Sequence, residues 1–156
     1  MKLLISLCTA GVSVFLFFAK AEKEVYTSQD PLAESIERGA EVYQDFCIQC
    51  HLGKGEGVAG TFPPLAGSDW LTEDRYKEAI KAVKYGQQGP ITVNGVKYNG
   101  VMANLELYED EVADVMNYIM NSWGNKQKEM VTEEAVKAIS KQGDLVNSRS
   151  NVLRFF

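Results

Sequence analysis

The sequence predicts an all-α fold interrupted by one small β-hairpin. Apolar residues recur at helical spacing before residue 50 and again after residue 109, and Asn94-Gly95 lies between two short β-favouring runs. With 156 residues, 46% of them hydrophobic and 24% charged, the chain has the composition of one compact domain rather than a disordered tract. No internal repeat or low-complexity segment breaks it up.

The elements follow in order. Residues 22–31 form a polar leader ending at Pro31. A first helix is predicted from Leu32 to about Cys50, with Leu32, Ile36, Gly39, Ala40 and Tyr43 on one side. Gly39 is out of place there, because a helix-interior glycine costs about 1 kcal/mol relative to alanine, and it predicts a second helix passing close by. The glycine-dense LGKGEGVAG at 52–60 is read as flexible loop. Its literal G-x-G-x-x-G match lacks the strand and helix that a dinucleotide site needs on its flanks. TFPPLAGSDW keeps the backbone extended through two prolines. A middle helix is predicted from a cap near Thr72 to Gly86, with Lys77, Lys81 and Lys84 on one face. Asn94-Gly95 then makes a hairpin, and Asn99-Gly100 is read as a second turn before Val101-Met102. From Glu109 to Trp123, Val112, Val115, Met116, Ile119, Met120 and Trp123 mark an amphipathic helix with acidic residues at its start. Beyond Asn125, a short helix capped by Thr132 and running to Ser140 is expected within a C-terminal extension, 126–156.

The first 21 residues combine Lys2, an apolar run from Leu3 to Phe18 and the small-x-small tripeptide Ala19-Lys20-Ala21, the order of a secretory signal cleaved after Ala21. An uncleaved anchor competes, since the run is only slightly short of the roughly 20 residues that span a bilayer. Cys8 could suggest acylation, but Leu7 before it and the apolar run after it argue against that. Cleavage removes Lys2 and Lys20 and no acid, so 14 of the 16 basic residues remain against 21 acidic ones and the net charge moves from −5 to −7. That balance argues against a nucleic-acid partner.

Chemistry concentrates in Cys47-Ile48-Gln49-Cys50-His51, which holds both remaining cysteines and the sole histidine. Cys-x-x-Cys-His is the attachment signature of c-type haem: two thiols three positions apart can add to two vinyl groups, and the next residue sets an imidazole beneath the iron. A redox dithiol needs the pair at a helix start after a strand, structural zinc needs four ligands, and a plain disulfide leaves the histidine unexplained. An electron-transfer iron needs a sixth ligand, for which no second histidine exists, and methionine is the usual choice. Met116 and Met120 lie on the apolar stripe and read as core, Met130 lies in the extension, and Met102 follows the hairpin and is favoured.

With these residues in view, the sequence resembles a small class I cytochrome c from Ile36 to Asn125, through ERGAEVYQDFCIQCH, FPPLAGSDW, ITVNGVKYNGVM and VMNYIMNSWGN. The last two narrow the likeness to bacterial single-haem cytochromes, including haem domains fused to some copper nitrite reductases. The resemblance implies a cytochrome c fold over 32–125, helices packed around one haem c, with Gly39 and Tyr43 where the first helix crosses the last. It implies thioethers at Cys47 and Cys50, a proximal bond from His51 and a distal one from Met102. Pro63 would offer a carbonyl to the other His51 ring nitrogen, and Leu65 and Trp70 would line the haem. The family commonly has proline after the ligand methionine, where this chain has Ala103.

The function expected is therefore a periplasmic electron carrier cycling Fe(II)/Fe(III) between redox partner proteins, and not an enzyme. The membrane is a partner only if the N-terminal segment stays as an inner-membrane anchor. The alternatives are an electron-transfer subunit of a larger respiratory oxidoreductase, or a ligand-binding or catalytic haem protein. Lys77, Lys81 and Lys84, or Glu106, Glu109, Asp110, Glu111 and Asp114, are candidate docking charges.

Overall fold

The computed structural model describes residues 30–127 and 129–141; the predicted export segment, with Cys8, and most of the polar leader lie outside them. A helical run starts at Asp30, whose carboxylate accepts from the Leu32 amide at 3.0 Å, with Pro31 in the first turn where its missing N–H is not needed. The run consists of α1 (Pro31–Val42), a π-turn (Tyr43–Cys47) and α2 (Ile48–His51). The sequence predicts an unbroken helix here. Instead the Ile48 amide reaches the Tyr43 carbonyl, so one extra residue enters the turn and swings Cys50 and His51 round from the face α1 presents.

α3 (Tyr76–Tyr85) begins later than a Thr72 cap predicts. Thr72 Oγ1 turns back to donate to the Asp69 carbonyl at 2.9 Å, and residues 72–75 close a separate turn. Gly86 ends α3 at φ 78°. Asn94 and Gly95, both at positive φ, turn β1 (Gln87–Val93) into antiparallel β2 (Val96–Met102). The second turn expected at Asn99-Gly100 is absent. Asn99 pairs with Pro90 and Gly100 with Gly89, and the ladder runs on to Gln87 opposite Met102. Met102 therefore ends a strand rather than riding a loop.

α4 (Glu109–Met120) has Glu109, Asp110 and Glu111 in its first turn, where the helix dipole favours negative charge. It buries Val112, Val115, Met116, Ile119 and Met120, each stabilising by about 1.5–3 kcal/mol. Trp123 lies beyond the helix, at φ 52°. α1 packs on α4 at Gly39, where a Cβ would stand 1.9 Å from the Asp114 carbonyl oxygen and 2.9 Å from Tyr118 Cβ. No side chain fits that gap. One turn on, the fully buried Tyr43 packs on Tyr118 and Trp123 with ring centroids 5.4 and 5.0 Å away, and its hydroxyl donates to the Leu52 carbonyl at 2.7 Å.

Beside this crossing runs a buried polar chain that hydropathy does not announce. Ser35 Oγ donates to Asp114 Oδ1 at 2.6 Å, Arg38 clasps both Asp114 oxygens, and the Asn117 amide donates to Ser35 Oγ. Asn117 also gives and takes one hydrogen bond with the Val131 backbone, each 2.8 Å, as a strand neighbour would. The extension is thereby fastened to α4, and α5 (Glu133–Ala138), capped by Thr132, packs against it.

Asp114 and Lys84, both candidate docking charges, are used up in this packing. Asp114 is 8% exposed and paired as above. Lys84 Nζ donates to the Val136 carbonyl at 2.9 Å and lies 3.6 Å from Glu109. Lys84→Met, which keeps most of the stem, is expected to lower stability by about 1.5–3 kcal/mol, the range for hydrogen bonds to charged groups. Urea unfolding checks this, and an unchanged midpoint returns Lys84 to the docking face.

Candidate haem site

One apolar cavity of about 280 Å³ opens between the elements, and all seven residues singled out in the sequence line it: Cys47, Cys50, His51, Pro63, Leu65, Trp70 and Met102. The π-turn and α2 bring the first three to one wall. Residues 60–71 form the second wall, the hairpin ending at Met102 the third, and α3 and α4 close the back. Residues the sequence reading passed over complete the lining. Ala79, Ala82 and Val83 form a small-residue stripe at helical spacing on α3, opposite the lysines that drew attention there. Met116 and Ile119, read as plain core, are the part of α4 that the cavity meets. Among the described residues, no basic or acidic side chain apart from His51 lines the space.

His51 is 9% exposed, and its Nδ1 lies 3.0 Å from the Pro63 carbonyl oxygen. A carbonyl can only accept, so Nδ1 carries the proton and Nε2 keeps its lone pair. Desolvation holds the His51 pKa below the ordinary imidazole value, opposed by the Pro63 bond, so the ring is neutral at pH 7 and able to ligate. Burial, reinforced by Cys50, pushes the Cys47 thiol up to about 11. Both thiols are free rather than joined.

The walls are locked from behind. Trp70 Nε1 donates to the Thr92 carbonyl at 2.8 Å, and the Arg75 guanidinium lies 5.0 Å above its ring. The Asp69 amide donates to Asn94 Oδ1 and the Asn94 amide to Asp69 Oδ1, both at 2.9 Å, joining the hairpin tip to the second wall. Asn125 Nδ2 ties the Leu65 carbonyl to the Ile119 carbonyl at the end of α4. The glycine-dense stretch is part of the same frame rather than slack loop, with the Leu65 and Ala66 amides both on the Gly55 carbonyl.

These residues fit a haem c. The cavity offers a flat apolar group no unpaired buried side-chain polar atom among the described residues. It also supplies two free thiols at attachment spacing, an imidazole with its lone pair available, and the Met102 thioether on a different wall.

The cytochrome c family model matches residues 36–123, more than half of the chain. Cytochrome c-552 of Thermus thermophilus is 43% identical over 94 residues, which cover 58% of this chain and 71% of that protein. A second c-552 sequence from the same species is 43% identical over 94 residues that make up 63% of its length. The cytochrome c subunit of the quinone alcohol dehydrogenase of Gluconacetobacter polyoxogenes is 33% identical over 113 residues, 70% of this chain but 24% of that subunit. A cbb3-type cytochrome c oxidase subunit of Rhodobacter capsulatus is 31% identical over 94 residues, 31% of its length. This chain belongs to the cytochrome c family: it is an electron carrier, not an enzyme, and works through one covalently held haem c.

Proposed function

We propose that the chain is an exported electron carrier in which Cys47 and Cys50 form the thioethers and His51 and Met102 are the axial ligands. The observation that carries this reading is the convergence of those four side chains on one apolar cavity. Bound haem c supplies one-electron exchange between Fe(II) and Fe(III). The chain's residues hold it in a dry site: Leu65 and Trp70 exclude water at its flank, and the Pro63 carbonyl fixes the His51 ring and makes the imidazole a better donor.

Residues 32–125 are the haem domain in this reading, and 126–156 an extension serving its surface. The periplasm is the proposed location, with residues 1–21 removed or, if retained, anchoring the chain to the inner membrane. No helix among the described residues is long and apolar enough to cross a membrane. The proposed partners are a respiratory dehydrogenase on one side and an oxidase on the other. A second reading, in which the chain is a fixed subunit of one such complex, is favoured by the relatives named as dehydrogenase and oxidase subunits.

The ferric holoprotein is expected to show the weak far-red band of a sulfur-to-iron bond, and its ferrous form to resist carbon monoxide. A missing band together with ready binding of carbon monoxide would remove Met102 as ligand and point to a gas-binding protein.

A further inference from the structure

We infer that Gly57 is a positioning residue for His51: by having no side chain, it lets the Pro63 carbonyl stand where the His51 ring can use it. The inference rests on the reading of His51 as an axial ligand.

Two contacts join Gly57 to His51 from opposite ends. The Gly57 amide donates to the His51 carbonyl at 3.0 Å, so the loop folds back directly over the end of α2. A Cβ on Gly57 would stand 2.4 Å from the Phe62 carbonyl oxygen, 2.7 Å from the Pro63 carbonyl oxygen and 2.8 Å from the Pro63 carbonyl carbon. That same Pro63 oxygen accepts from His51 Nδ1 at 3.0 Å.

The atoms in the way are backbone and have no room to retreat. Val58 and Phe62 exchange two 2.8 Å backbone hydrogen bonds, and the Leu65 and Ala66 amides are anchored on the Gly55 carbonyl at 2.7 and 2.9 Å. The segment carrying the Pro63 carbonyl is therefore fixed on both sides. A methyl group at position 57 must displace the Pro63 oxygen, break the Gly57–His51 bond, or both. Either change loosens the imidazole N–H bond that makes His51 a strong donor, and the ferric state, which needs that donation more, loses most.

The test compares Gly57→Ala with Gly67→Ala in the holoprotein. Gly67 has φ +62° against +63° for Gly57, so alanine meets the same backbone strain at either position, but a Cβ at Gly67 meets nothing within 4 Å. Gly57→Ala is expected to lower the preference for the ferric state on the order of tenfold, as loss of an outer-shell ligand bond does. That corresponds to a rise of ~59 mV in potential for a one-electron couple. The His51 ring N–H should also exchange faster with solvent by NMR. Gly67→Ala should shift the melting temperature alone.

If the two variants move the potential and the ring N–H equally, Gly57 acts only on stability and the inference is overturned. The wild type separates this from failure of the ligand reading. Its His51 ring protons must be shifted by the ferric iron, and unshifted protons overturn the ligand assignment instead. Should Gly57→Ala yield no holoprotein, native-state exchange of the wild type decides. A Gly57 amide and a His51 ring N–H opening with the same protection support the inference, whereas an amide that exchanges many-fold faster than a protected ring N–H overturns it.

Discussion

Gly39→Ala is expected to destabilise the protein by about 3 kcal/mol or more, at or beyond the upper end of the range for overpacking. Two effects oppose each other. Alanine is the better helix former by about 1 kcal/mol, and on an open helix face the substitution would stabilise. Here the new methyl would lie 1.9 Å from the Asp114 carbonyl oxygen, which is helix backbone and cannot rotate away. Separating α1 from α4 to make room would open the Tyr43–Tyr118–Trp123 contacts and the Ser35–Asp114 bond, so the loss spreads beyond one contact. Urea unfolding of the holoprotein measures it. Gly53→Ala, where a Cβ meets nothing within 4 Å, should be near neutral in the same assay. A Gly39 variant as stable as that control means the two helices do not touch there.

Met102→Ala is expected to keep the haem but change its chemistry. Attachment depends on Cys47 and Cys50, which are on another wall, so the holoprotein should form and retain its colour. The far-red band should vanish, the ferrous protein should bind carbon monoxide, and the reduction potential should fall, because a methionine ligand raises it. Axial ligands move haem potentials over a range of about 0.8 V, which makes this the larger functional effect of the two. Met116 lines the same cavity and supplies the discriminating control. If the band survives Met102→Ala and disappears in Met116→Leu, the sulfur ligand comes from α4.

The sequence carried most of the frame because its strongest signals are local or stereochemical. Gly39 stood out as a residue that helix propensity disfavours, and the crossing it marks is where α1 meets α4. Asn94-Gly95 turns the hairpin because both residues take positive φ. Asn99-Gly100 is the same dipeptide, but it stands opposite Pro90 and Gly89 within the ladder, and strand pairing overrides turn preference. Thr72 has a cap's chemistry but spends its hydroxyl on the Asp69 carbonyl.

The buried polar chain was hidden for a different reason. Ser35, Asp114 and Asn117 occupy core-facing positions, yet a hydropathy pattern assigns polar residues to solvent. Their mutual hydrogen bonds span more than 75 residues of sequence, so no local window holds the signal. In the candidate site, the attachment motif gave the chemistry of one wall. The π-turn that aims it, and the small-residue stripe on α3 that makes room, are consequences of packing.

The doubled bond between Asp69 and Asn94 has one more implication. It makes the hairpin tip and the facing loop a single strut behind two walls of the cavity. A centre that gains and loses one unit of charge in an apolar interior tempts its surroundings to relax toward whichever state is present, and each relaxation deepens the trap the electron must leave. A braced wall keeps that nuclear motion small, so the polypeptide serves both oxidation states with nearly one shape.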